Sequence, residues 1–190
     1  MIIYMLVNRF LFMVRTYQED PSDKPRCLIA DDTVLPKRGK TIEGIGKVFD
    51  HKDHGYKLGF KGLFLALFDG KSFLPLDFSL HSEKGKRKQY PFGLKISELK
   101  NQYKKLRRDE LPGSIRKNEL TTPKNNVLIQ MIKRAWRKGI RAEYLLVDSW
   151  FIDESLINFV LKSTMFLLGM CKMDKRLYVA DGREYNARGL

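Results

Sequence analysis

From residue 127 onward the apolar residues switch repeatedly between a helical and an extended rhythm. That alternation limits the possible folds more than any other feature of the chain. Val127, Leu128, Met131, Ile132, Ala135 and Trp136 recur at the spacing of one helix face. Asn125 or Asn126 is placed to cap that helix, and Gly139 to stop it. Tyr144–Val147 is a short continuous apolar run, the signature of a buried strand. Asp153 then caps a second helix reaching Lys162, with Leu156, Ile157, Val160 and Leu161 on its apolar side. Met165–Cys171 is a further strand. Helices inserted between strands imply a parallel arrangement with right-handed crossovers.

Upstream the pattern differs. Cys27–Ala30 is a short apolar run, and a short strand is expected around Lys47–Phe49. Leu58–Phe68 is a long strand, and Asp69-Gly70-Lys71-Ser72 is a turn. Leu74, Leu76, Phe78 and Leu80 then alternate with Pro75, Asp77 and Ser79, so a β-hairpin is predicted. Pro75 cannot donate to a ladder, which puts its strand at a sheet edge. The fold class is therefore α/β with a mixed sheet: an antiparallel hairpin at one side and parallel strands joined by helices beyond it. Met1–Val14 is apolar but interrupted by Asn8-Arg9, too short to span a bilayer, and lacks a signal-peptide pattern. It reads as a helix or strand packed on something upstream, with an interfacial anchor as the alternative. Residues 15–26 are a polar connector.

The charge is localised. The 190 residues carry 36 Lys+Arg against 22 Asp+Glu, a net charge of +14. Between Ser82 and Arg141 lie 18 of those basic residues and 5 acidic ones. A basic insert at 82–125, with a helical piece near 94–106, points to a polyanionic partner. The two cysteines, Cys27 and Cys171, form no CxxC pair, which excludes a zinc ribbon or finger and leaves two buried thiols.

Two of the apolar runs end in an aspartate, CLIAD at Asp31 and YLLVD at Asp148. In neighbouring parallel strands both carboxylates would emerge at one edge, where two hard oxygen donors suit Mg²⁺ with phosphate co-ligands. Two such ions would support phosphodiester cleavage. Each aspartate alone could equally cap a strand end or turn.

The segments CLIADDTVLPKRGK (Cys27–Lys40) and LLVDSWF (Leu145–Phe151), with the hairpin between them, resemble the insertion-sequence DDE transposases, in particular the hydrolytic subgroup with a Tyr-Arg-Glu-Lys signature. The likeness runs from about Pro25 to the end of the chain. It implies an RNase H-like fold, Mg²⁺ or Mn²⁺ as metals, and transposon-end and target DNA as partners. It further implies metal-dependent cleavage and strand transfer, with Asp31 and Asp148 as catalytic metal ligands and Asp32 as the alternative to Asp31. Residues 1–24 are then an N-terminal apolar segment and connector, 25–172 the catalytic core, and 173–190 the start of a β-rich insertion.

The third acid of the family is not found as Tyr-x-x-Arg-x-x-x-Glu after Asp148. Glu184 stands 36 positions after Asp148 but lies in DGREY, a turn-prone sequence with no helical pattern. The expectation is a core truncated before its third acid, inactive alone, with a sheet face left uncovered. The alternatives are a non-catalytic DNA-binding remnant that interferes with a full-length transposase, as a homo-oligomer or mixed oligomer, and an RNase H-like nuclease. A cytoplasmic, nucleoid-associated protein without a membrane span is expected.

The candidate phosphate-binding residues are Lys37, Arg38 and Lys40, then Lys84, Lys86, Arg87 and Lys88, and finally Lys133, Arg134, Arg137 and Lys138 on the polar side of the first helix. Trp150 either stacks on a base or packs beneath the following helix. Trp136 and His81 are read as structural, and Asp50-His51-Lys52-Asp53-His54 as a solvated turn.

Overall fold

The computed structural model describes residues 2–17, 25–170, 172, 175 and 177–186. Most of the polar connector, Cys171 and the last four residues lie outside the described residues. The elements run α1 (Ile2–Tyr17), β1 (Cys27–Pro36), β2 (Gly46–Asp50), β3 (Gly55–Phe68), β4 (Phe73–His81), α2 (Ile96–Lys100), α3 (Pro112–Glu119), α4 (Lys124–Arg137), β5 (Tyr144–Val147), α5 (Glu154–Leu161), β6 (Phe166–Leu168), β7 (Leu177–Ala180) and β8 (Arg183–Asn186). A 3-10 turn at Ser149–Phe151 follows β5. Among the described residues no helix is long and apolar enough to cross a membrane.

The main sheet has the hydrogen-bonded order β2-β3-β1-β5-β6, with β4 pairing β3 off that path. β2 and β3 are antiparallel, while β1 with β5 and β5 with β6 are parallel. This is the mixed α/β sheet of the RNase H-like fold. β4 has β3 as its one partner in that sheet, the edge place that Pro75 requires. β7 and β8 form a separate antiparallel pair around Asp181-Gly182.

The chain divides into two compact units of interleaved segments. The first comprises residues 1–30, 66–75 and 135–190. Here Leu28 and Ala30 of β1, Leu145 and Val147 of β5, and Leu156 and Val160 of α5 are buried. Asn8 of α1 donates to the Lys138 carbonyl at 2.7 Å, and Tyr4 and Val7 are buried. Trp136 stacks on Phe159 with ring centroids 5.3 Å apart, the structural role its spacing predicted. The turn before β4 is closed by Asp69 Oδ1, which accepts from Lys71 N at 3.0 Å and Ser72 N at 2.6 Å.

The second unit comprises residues 31–65 and 76–134. Ile45, Phe60 and Leu94 form a buried cluster with Leu58, Leu80, Leu99 and Leu120 against it. Gly59 is held where a Cβ would sit 2.2 Å from the Leu35 carbonyl oxygen, so β3 passes β1 there only without a side chain.

α4 buries Val127, Leu128, Met131, Ile132 and Ala135 completely. Each larger side chain contributes about 1.5–3 kcal/mol by burial. The helix opens after Pro123, whose carbonyl accepts from Val127 N at 3.1 Å. Asn125 and Asn126 therefore lie inside the first turn and are not its caps. Gly139, at φ +76°, ends the helix as expected. In α5 the cap is Asp153, accepting from Leu156 N at 2.9 Å, but Leu161 is exposed, which narrows the predicted apolar face.

The insert differs most from expectation. The helical piece is confined to Ile96–Lys100, and a further helix, α3, appears at Pro112–Glu119. Beyond Lys100 the chain is instead held by Gln102, whose side chain accepts from Gly44 N at 3.0 Å and donates to the Ile45 carbonyl at 2.8 Å.

Candidate active site

The β1–β5 ladder is in register at Cys27↔Tyr144, Leu28↔Leu145, Ile29↔Leu146 and Ala30↔Val147. The next residue along each chain is an aspartate, Asp31 and Asp148. Leu28, Ala30, Leu145 and Val147 are buried and Leu146 is exposed, so the strands present opposite faces in strict alternation. Asp148 remains extended at φ −68°, ψ 156° before the chain turns. Alternation assigns Asp31 the facing of Ile29 and Asp148 that of Leu146, and it assigns Asp32 the facing of buried Leu28 and Ala30.

The two exposed aspartates have similar local settings. Asp31 Oδ1 accepts from Asp32 N at 2.7 Å. Asp148 Oδ1 accepts from Ser149 N at 2.5 Å and opens the 3-10 turn. Phe151 is buried and pins that turn. Neither Oδ2 has a hydrogen bond among the described residues. Asp32 differs: it is half-buried and ion-paired with Lys124 at the start of α4. Nothing in spacing could have marked Lys124, because its partner lies 92 positions away.

His81 is buried at the end of β4. Burial pushes its imidazole below the ordinary histidine range, and the Lys124 charge adds to that. Among the described residues its Nε2 has no hydrogen-bond partner.

The remaining candidates separate by setting. Glu184 is exposed on β8, paired with Val179 in the two-stranded ladder, and no helix carries it. Among the described residues no three His, Cys, Asp or Glu side chains gather as a metal cage. Lys37, Arg38 and Lys40 are exposed after β1, with Lys40 bound to Glu98 at 2.5 Å. Lys84, Lys86, Arg87 and Lys88 are exposed beyond β4, and Lys133, Arg137 and Lys138 are exposed on or just after α4. Trp150 is exposed, with Lys172 Nζ 4.8 Å above its ring, and does not pack beneath α5 as a core residue. In the 50–54 turn, Asp50 and Asp53 both engage Lys57, at 2.7 Å for Asp50. Cys27 is a half-buried thiol, and burial raises its pKa.

Arg134 is committed elsewhere. Its Nε meets Asp77 Oδ2 at 2.8 Å and its Nη1 meets Glu119 Oε1 at 2.7 Å. Arg116 closes the ring from the other side, pairing Glu119 Oε2 at 2.8 Å and Asp77 Oδ1. Two buried carboxylates and two guanidiniums thus alternate in a closed ring. Arg134 is half-buried there, not on an open phosphate-binding face as its spacing suggested.

A family model described as DDE superfamily endonuclease matches residues 12–183. No curated protein and no solved structure matches the chain in the corresponding comparisons.

Proposed function

The chain belongs to the DDE superfamily endonucleases, and from that premise we propose that it is a transposase-type nuclease core over 25–172 in which Asp31 and Asp148 hold the divalent cation that DNA strand cleavage at transposon ends requires. The observation that carries this reading is the β1–β5 register, which ends one residue before each aspartate. Both carboxylates are exposed and hydrogen-bonded through a single oxygen, and oxygen donors of this kind fit Mg²⁺ or Mn²⁺. When bound, the cation would lower the pKa of a water nucleophile and stabilise the leaving oxygen.

The chain's own residues supply position and charge. The Asp32 and Ser149 amides orient the two carboxylates. Lys124 neutralises Asp32 and holds it away from the metal-binding role, which favours Asp31 of the two neighbours. The exposed basic residues after β1 and β4 provide phosphate contacts.

The test is Mn²⁺ binding, read by calorimetry, together with nicking of supercoiled DNA. D31N and D148N are each expected to weaken Mn²⁺ binding at least about tenfold and to abolish metal-dependent nicking, whereas D32N keeps both. Loss in D32N and not in D31N would transfer the ligand role to Asp32. Nicking that survives D148N would overturn the reading. A second reading is DNA binding without cleavage, favoured because no third acidic side chain joins the pair among the described residues. Salt-sensitive DNA binding with no Mn²⁺ binding by the unmodified chain would establish it.

A further inference from the structure

The strip of chain from Lys100 to Arg108 is not part of the aspartate site, yet it is tied tightly to the loop that follows β1. Tyr103 N donates to the Thr41 carbonyl at 2.8 Å, and Gln102 bridges Gly44 and Ile45 as described. Arg107 Nη2 holds Glu43 Oε2 at 2.6 Å. These bonds fix the strip against residues 41–45, and the strip carries two exposed apolar groups. Tyr103 is 66% exposed and Leu106 is 99% exposed. The two linked segments also carry Lys37, Arg38, Lys100, Lys104, Lys105 and Arg108, all exposed. Glu43 and Glu98, the carboxylates within this surface, are already bonded to Arg107 and Lys40, and the next acids, Asp109 and Glu110, follow only at its far end.

A surface for duplex phosphates needs cations alone. A fully exposed leucine three positions from an exposed tyrosine gains nothing from phosphate. It gains from unpaired base faces, which stack on aromatic rings whatever their sequence. Strongly basic surroundings also argue against an apolar protein partner. Residue 37 follows Asp31 by six positions on an extended strand, at most about 20 Å along the chain.

We propose that the surface formed by residues 37–41 and 100–108 binds single-stranded DNA, with Tyr103 and Leu106 against unpaired bases and the surrounding cations along the phosphates. It rests on the reading of the chain as a DNA-cleaving protein and adds that the strand is presented there unpaired.

The experiment is fluorescence anisotropy of the full chain with a 12-nucleotide mixed-sequence single strand and with its duplex, without metal, across a salt series. Y103A/L106A is expected to weaken single-strand binding about fivefold or more, leaving duplex binding and the salt slope unchanged. K104Q/K105Q is expected to weaken both probes and to flatten the single-strand salt slope by about 1.4. All four side chains are exposed, and a cooperative urea transition in each variant confirms that it is folded. Unchanged single-strand affinity in Y103A/L106A would overturn the proposal, as would an equal loss on both probes. If the parent chain binds neither probe, the DNA reading itself fails, a result distinct from either of those.

Discussion

At the scale of single residues, the unusual group is His81. It is buried among charged neighbours, with Lys124, Glu119 and Asp32 all acting on it. Burial disfavours the charged imidazolium, and the Lys124 charge does so further. In the unfolded chain the same residue titrates near its ordinary value, about 6.5. Below that pH the unfolded chain takes up a proton that the folded chain refuses, so stability falls as pH falls. The limit is about 1.4 kcal/mol per pH unit. The carboxylates held low by cations, such as Glu43 beside Arg107 and Glu98 beside Lys40, lose their stabilising ionisation only in the acid range below about pH 4.5. The urea midpoint should therefore drop between pH 7.5 and 5.5, and H81Q should remove most of that drop. An equal drop in H81Q would assign it to other groups. The strand-end placement of Asp31 and Asp148 was legible because each ends an apolar run. The Lys124 pair that sets Asp32 apart from Asp31 was not, because it is a long-range contact.

At the scale of elements, α4 and α5 were legible because their apolar periodicity coincides with what they bury, and the β3–β4 hairpin because alternation and turn chemistry agree. α3 was not, since its buried residues are Ser114 and Glu119. A helix that buries a carboxylate has no apolar stripe to read. What holds α3 is the ion ring, which joins it to β4 through Asp77 and to α4 through Arg134. The carboxylate side chains are 2% and 4% exposed, so their charges are stranded if a guanidinium is removed. Loss of one partner from a buried pair costs about 3–5 kcal/mol. R134M should lower urea stability by that amount and weaken α3 first, seen as faster hydrogen exchange over 112–119. A cost under about 1 kcal/mol would mean that Asp77 and Glu119 find water, and that α3 is held by Pro112 and its local turns instead.

At the scale of the whole molecule, two electrostatic effects compete, and salt separates them. A net charge of +14, most of it between Ser82 and Arg141, repels itself and opposes compaction. Solvent-facing pairs such as Lys57 with Asp53 and Lys40 with Glu98 act the other way, but such pairs contribute little and salt screens them. The ring around Asp77 and Glu119 is buried and is screened far less. Between 10 and 100 mM salt the Debye length shrinks from about 30 Å to about 10 Å, so repulsion between distant cations is removed before contact pairs are weakened. The melting temperature should rise over that range. About 1 kcal/mol of relieved repulsion corresponds to roughly 2–4 °C in a chain of this size. K104Q/K105Q removes two exposed cations with no carboxylate bonded to them among the described residues, so it should raise the low-salt melting temperature and reduce the gain from salt. A melting temperature that falls with salt would show the reverse balance, with exposed ion pairs outweighing the repulsion. The basic surface would then be stabilised by its own carboxylates and less available to phosphates, which would weaken the case for a polyanionic partner at its root.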